Sequence, residues 1–84
     1  MSSAADTAEL ALDLRGLVAD LAELDADDLD LDTPFSEAGI DSLMAMEIAV
    51  HVERQEGVRF RDTDLTRIRT LRQLAELVVE RRDG

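Results

Sequence analysis

Phe35-Ser36-Glu37-Ala38-Gly39-Ile40-Asp41-Ser42-Leu43 joins two unlike stretches of chain. Upstream of it, residues 25–34 have no helical period: Asp25, Asp27, Asp28, Asp30 and Asp32 are interspersed with Leu29 and Leu31, and the only proline, Pro34, follows. Downstream, apolar residues return at helical spacing as far as Gly57, a good C-terminal stop. The junction sets Asp41 and Ser42 side by side at a helix start. Both residue types accept hydrogen bonds from the free N–H groups of a first turn, so on these two residues alone a simple N-cap is the plainer reading. Three features give Ser42 more weight. It follows a long ordered loop, it is flanked by Gly39 and Leu43, and it opens a helix with two apolar stripes.

At about 100° per residue the stripes separate cleanly. Ala45, Ile48, Ala49 and Val52 cluster on one side, while Leu43, Met46 and Val50 cluster well over a right angle away, bordered by Glu47, Glu53 and Arg54. One stripe faces a bundle. The second either packs under another helix or stays open to partners, and methionine is an adaptable contact residue.

The loop from 25 to 40 is expected to be ordered and pinned to the core by Leu29, Leu31 and Phe35. A loop of that length in so small a domain is uncommon and often functional. Before it, Leu10, Leu14, Leu17, Leu21 and Leu24 step by four and three, widened by Val18, behind an Asp6-x-x-Glu9 capping pair. That pattern predicts an amphipathic helix over 7–24, with Gly16 as a candidate point of close helix approach. Residues 1–5 are small and polar and are expected to fray. After Gly57, Phe60 begins a connector, and Leu65 and Ile68 suggest a helical turn or two around 62–68. Thr70-x-x-Gln73 is a capping box opening a last helix, with Leu71, Leu74, Leu77 and Val78 inward and Arg81 and Arg82 in its final turn. The fold class is therefore all-α, a bundle of three long helices and one short one in a single domain over 1–84.

Composition agrees and excludes much. The chain has 84 residues, 45% of them hydrophobic, but only two are aromatic (both Phe), so Leu, Val, Ile, Met and Ala must build the core. No cysteine is present, which excludes a disulfide frame, thiolate metal sites and thiol catalysis. No apolar run has membrane-spanning length and no basic-then-apolar leader opens the chain, so a cytoplasmic location is expected. The net charge of −11 argues against nucleic acid or an anionic membrane as partner. It is also uneven: residues 1–56 carry a net −13, whereas residues 57–84 carry +2, every base being arginine.

Familiar catalytic patterns fail. The run Asp28-Leu29-Asp30-Leu31-Asp32 suggests a calcium loop, but Thr33 and Gly39 stand where an EF-hand needs glycine and a bidentate glutamate. Gly39-Ile40-Asp41-Ser42-Leu43 is not a nucleophile elbow. The single histidine, His51, lies nine residues beyond Ser42. On one helix that is about 13.5 Å of rise and half a turn of net rotation, too far for a base. No metal cluster or phosphate-cradling glycine loop is present, so an independent enzyme is not expected.

With these residues in view, the stretch 35–43 resembles the G-x-D-S-L site of acyl carrier proteins, and the resemblance extends over nearly the whole chain: an amphipathic first helix, a long acidic loop, a serine-led second helix, a short third and a Thr-capped fourth. It implies an acyl-carrier-like four-helix bundle with no catalysis of its own. It further implies 4′-phosphopantetheine joined to the Ser42 hydroxyl by a phosphopantetheinyl transferase, with Asp41 and Leu43 flanking the attachment point. The cofactor's thiol would carry acyl groups as thioesters, which answers the absence of cysteine. Asp41 would help cap the helix and be read by the transferase. Leu43, Met46, Glu47, Val50, Glu53 and Arg54 would meet partner enzymes with basic docking surfaces, such as an acyltransferase, ketosynthase or adenylating enzyme. Ile68 would shelter a short acyl group between the second and third helices. The third-helix region departs from fatty-acid carriers, because Arg61, Arg67 and Arg69 make it basic. Polyketide or related specialised metabolism is therefore expected, from a discrete monomeric carrier rather than a piece of a megasynthase. An aminoacyl or peptidyl carrier is the alternative, although the Gly-Gly usual before a peptidyl carrier's serine motif is replaced by Ala38-Gly39. An acidic helical adaptor, with Ser42 only a cap, is the rival of another class.

Overall fold

A computed structural model describes residues 4–83, with side chains placed from 6 to 82. Four α-helices follow in order: α1 Ala4–Ala22, α2 Ser42–Glu56, α3 Asp62–Leu65 and α4 Leu71–Asp83, with a 3-10 turn at Ala26–Asp28 in the long loop. The described residues contain no strand. α1 packs chiefly along α4 and less extensively on α2.

One core holds the elements together. Leu14 and Val18 of α1, Ile48 and Val52 of α2, and Leu74 and Val78 of α4 are all fully buried. Each such side chain contributes roughly 1.5–3 kcal/mol by leaving water. The periodic positions of α1 follow the expected face: Leu14 and Val18 lie at its centre, and Leu10, Leu17 and Leu21 are half-buried at its edges.

α1 starts and stops earlier than its leucine period suggests. Ala4 and Ala5 belong to α1, and residues 1–3 of the stretch expected to fray fall outside the described residues. Asp6 therefore lies within the first turn, where an acid suits the dipole, rather than ahead of it. At the other end Leu24 N–H donates to Ala19 C=O at 2.8 Å and Glu23 N–H to Asp20 C=O at 3.3 Å, a Schellman pair closed by Glu23 in the left-handed region (φ 58°). Leu24 still packs on the core, but from the loop. Gly16 marks no close approach: it is exposed, and a Cβ there would meet nothing within 4 Å.

The loop is ordered, as its apolar anchors suggest. Leu29 and Phe35 are buried, Leu31 is half-buried, and Ile40 adds a fourth anchor just before α2. It is also stitched to the start of α4. Arg72 N–H donates to Leu31 C=O (3.0 Å), Phe35 N–H donates to Arg69 C=O (2.8 Å), and the Arg72 guanidinium grips both carboxylate oxygens of Asp32 at 2.7 and 3.2 Å. The Arg72 hydrogen bond holds the Asp32 carboxyl below its ordinary range.

α3 is the single turn at the lower end of what the apolar spacing around 62–68 suggests, and it ends at Leu65. After Leu65 the chain tightens into i→i+3 bonds, Arg67 N–H to Asp64 C=O and Ile68 N–H to Leu65 C=O. Asp64 explains the arrangement. It is buried, accepts Arg61 N–H (2.9 Å), and forms a fork with Arg81 of α4 at 2.8 and 2.6 Å. The Arg81 hydrogen bonds, then that of Arg61 N–H, pull its carboxyl down to about 2. At α4, Thr70 Oγ1 accepts Gln73 N–H (3.1 Å) as the capping box requires, but the Gln73 amide oxygen reaches one residue further back, to Arg69 N–H (3.0 Å).

Candidate functional site

Ser42 is the first residue of α2 and is exposed. Its position follows from the elements on either side. Phe35 and Ile40 anchor the approaching loop, and Ile40 N–H closes back on Phe35 C=O at 2.9 Å. Gly39 takes a positive φ of 84°, the turn that lets Ile40 enter the core while Asp41 and Ser42 face outward. Asp41 is then the N-cap, its Oδ1 accepting Met44 N–H at 2.8 Å. Capping is therefore the work of Asp41 and not of Ser42. The Ser42 hydroxyl makes no hydrogen bond among the described residues. The N–H groups of Ser42 and Leu43, first in the helix, have no acceptor within it.

Two open clefts flank this hydroxyl. The first, about 470 Å³, runs between the loop and the start of α4, where Phe35, Ile40, Ser42, Ala45 and Ile68 line it. The second, about 460 Å³, lies between α2 and α3 and is bounded by Ser42, Met46, Leu65 and Ile68. Ile68 is buried and forms part of both walls. Asp41 borders the first cleft.

The two stripes of α2 separate as their spacing requires. Ile48, Ala49 and Val52 are buried, whereas Leu43, Met46 and Val50 are 67%, 52% and 44% exposed and leave an open apolar strip. Burial of α2 on both sides is thus ruled out. Glu47 and Arg54 are exposed beside the strip without an ion-pair partner among the described residues. Glu53 differs from its expected place on that border. It is half-buried and its Oε2 accepts Phe60 N–H at 2.7 Å, which ties the end of α2 to the connector. His51 is exposed on α2. Sequence reasoning did not single out Asp64 with Arg81, nor the placing of Arg69 on both clefts. The first pair is 17 residues apart, and only the packing of α3 on α4 brings it together.

The model of a family described as the phosphopantetheine attachment site matches residues 13–78, from the middle of α1 to the core of α4. The chain belongs to that family. This carrier is similar to polyketide-8 synthase acyl carrier protein 2 of Streptomyces avermitilis, with 41% identity over 80 residues, covering 90% of this chain and 92% of the relative. It is also similar to part of a phenolphthiocerol/phthiocerol polyketide synthase of Mycobacterium tuberculosis, at 36% identity over 73 residues. That match takes in 87% of this chain but only 4% of the much longer relative. The resemblance in the sequence is thereby established, and the all-helical bundle is the fold that goes with it. Members carry covalent 4′-phosphopantetheine and act as acyl carriers rather than as catalysts, so the adaptor reading is set aside. The residues present fit such a group: an exposed, unengaged hydroxyl, two unpartnered N–H groups at the positive end of a helix, and clefts on either side. Among the described residues no helix is long and apolar enough to cross a membrane, and no group of side chains is arranged to hold a metal ion.

Proposed function

We propose that Ser42 is the attachment point of the phosphopantetheine arm and that residues 1–84 act as one carrier domain delivering acyl intermediates in polyketide assembly. The observation that carries the assignment is the exposed, unengaged Ser42 hydroxyl at the first residue of α2, between two clefts and inside the family-matched region. The pathway rests on the likeness to a polyketide synthase acyl carrier protein over nine-tenths of both chains.

When attached, the arm supplies the thiol that this cysteine-free chain lacks, holding acyl groups as thioesters. Everything else is the work of the chain's own residues. Asp41 takes up the Met44 N–H and so fixes where the helix begins, which keeps the Ser42 oxygen outward for a phosphopantetheinyl transferase. Leu43, Met46 and Val50 offer a dockable apolar strip, and Glu47 beside it draws a basic-rimmed acyltransferase or ketosynthase. Ile68 closes the inner wall of both clefts, where a short acyl chain would find apolar cover. A protein shuttling between enzymes needs weak docking, and a strip of three side chains is small enough to provide it. The same reading makes it a cytoplasmic monomer.

Incubation with coenzyme A, magnesium and a broad-specificity transferase tests the assignment by intact mass. The wild type gains one phosphopantetheine, and Ser42→Ala gains none while keeping its helicity. A folded wild type that stays unmodified, or a Ser42→Ala protein that is still modified, overturns it. Offering the thiol to acyltransferases and to adenylating enzymes then separates acyl from aminoacyl loading.

A further inference from the structure

The half of the chain that presents Ser42 is strongly acidic, and a phosphodiester placed there adds another negative charge. The free N–H groups of α2 offset part of that repulsion, and a nearby cation would offset more. The arginines of the C-terminal part are mostly committed elsewhere. Arg67 faces Glu80 and Asp64, Arg72 holds Asp32, Arg81 holds Asp64 and Arg82 holds Glu56. Arg59, Arg61 and Arg69 have side chains in no ion pair among the described residues. Of these three only Arg69 borders the clefts beside Ser42, and it borders both.

Its main chain is also held from two directions. Arg69 N–H donates to the Gln73 side chain (3.0 Å) and Arg69 C=O accepts Phe35 N–H (2.8 Å), which couples its position to the loop that delivers Ser42. The Arg69 side chain thus starts from a fixed base, and the residue is exposed, in no ion pair among the described residues, and borders both clefts as well as a third that it shares with Glu76. Asp41 and Asp62 are the carboxylates on the walls of the two clefts beside Ser42; the first is occupied by its cap, and neither lies within ion-pair distance of Arg69. From this arrangement we infer that Arg69 is an anion-holding residue that binds the phosphodiester of the arm on Ser42. It draws the root of the arm toward the Ile68 side of α2 and away from the docking strip of Leu43, Met46 and Val50. A guanidinium suits the task, since its fork matches two phosphate oxygens and stays charged at any relevant pH. The inference rests on Ser42 being the attachment point.

Two measurements on the intact carrier test it. In ¹⁵N-labelled wild type, apo and holo forms are compared at the arginine Nε–Hε signals, loading being verified by mass. The Arg69 signal moves on loading while those of Arg15, Arg54 and Arg59 stay, and the movement shrinks at 1 M salt, where the Debye length is about 3 Å. In parallel, the ³¹P signal of the holo protein shifts in Arg69→Gln and returns toward its wild-type position in Arg69→Lys. A loaded wild type whose Arg69 signal does not move overturns the inference and leaves the Ser42 assignment standing. A wild type that cannot be loaded removes the Ser42 assignment and this inference with it. If Arg69→Gln proves unstable, the apo–holo comparison on the wild type decides alone.

Discussion

Asp41, Ser42 and Asp64 show how little a residue type reveals about its job until its hydrogen bonds are known. Asp41 and Ser42 are both good N-caps, and their order in the chain leaves the choice open. The bond from Met44 N–H to Asp41 settles it and frees the serine. Asp64 is an ordinary aspartate in a four-residue helix by sequence, yet it is the one buried charged residue among those described, 2% exposed and clamping α3 to α4. Its carboxyl titrates at about 2 in the fold against an ordinary 3.8, so the folded state favours the ionised form. That stability is complete above the unfolded value and is lost as pH falls from about 4 toward 2. Asp64→Asn is accordingly expected to lower stability at pH 7 by on the order of 2 kcal/mol, through the loss of a charge-assisted fork. The gap from wild type should close as the pH drops through that window. Urea denaturation at a series of pH values checks it, and a gap that does not change with pH counts against the Arg81 fork as its source.

At the scale of elements, periodicity predicted the interior faces well and the ends less well. Leu14, Val18, Ile48, Val52, Leu74 and Val78 are buried where the 3.6-residue repeat puts them. Helix ends depend on local closure: the Schellman pair at Glu23 stops α1 before its last periodic leucine, and i→i+3 bonds end α3 after one turn. Gly16 interrupts α1 with no packing reason, facing open space. Gly16→Ala should therefore stabilise the protein by about 1 kcal/mol, and raise the melting temperature by roughly 4–8 °C, without changing its partners. On α2 the exposed stripe makes a different prediction. Glu47→Arg should leave helicity unaltered and slow processing by basic-rimmed partner enzymes by roughly tenfold, through loss of electrostatic steering. Stopped-flow or single-turnover transfer to several partners measures it, and unchanged rates with all of them remove Glu47 from the interface.

Across the whole molecule the uneven charge of the chain becomes a set of contacts. Two arginines of α4 reach acids of the first 56 residues, Arg72 to Asp32 in the loop and Arg82 to Glu56 at the end of α2. The basic end is thus folded onto the acidic part, but these two pairs among the described residues are few against the 15 acids there. Self-repulsion should dominate, so the melting temperature is expected to rise as salt increases from low to about 0.15 M, where the Debye length is about 8 Å. Magnesium should act at lower concentration. A flat or falling melting curve would instead mean that the ion pairs outweigh the repulsion.

The sequence by itself determined the helical class, the inward faces, the anchored loop and the likeness that centres on Ser42, because all of these are written in spacing and in short-range chemistry. Only the tertiary structure decided that the second stripe of α2 is open, that Glu53 serves the Phe60 backbone, and that Asp64 is clamped by Arg81. It alone set Arg69 on both clefts beside the serine. These facts depend on which surfaces meet when distant segments pack, and a local pattern of residues carries no record of a neighbour many positions away.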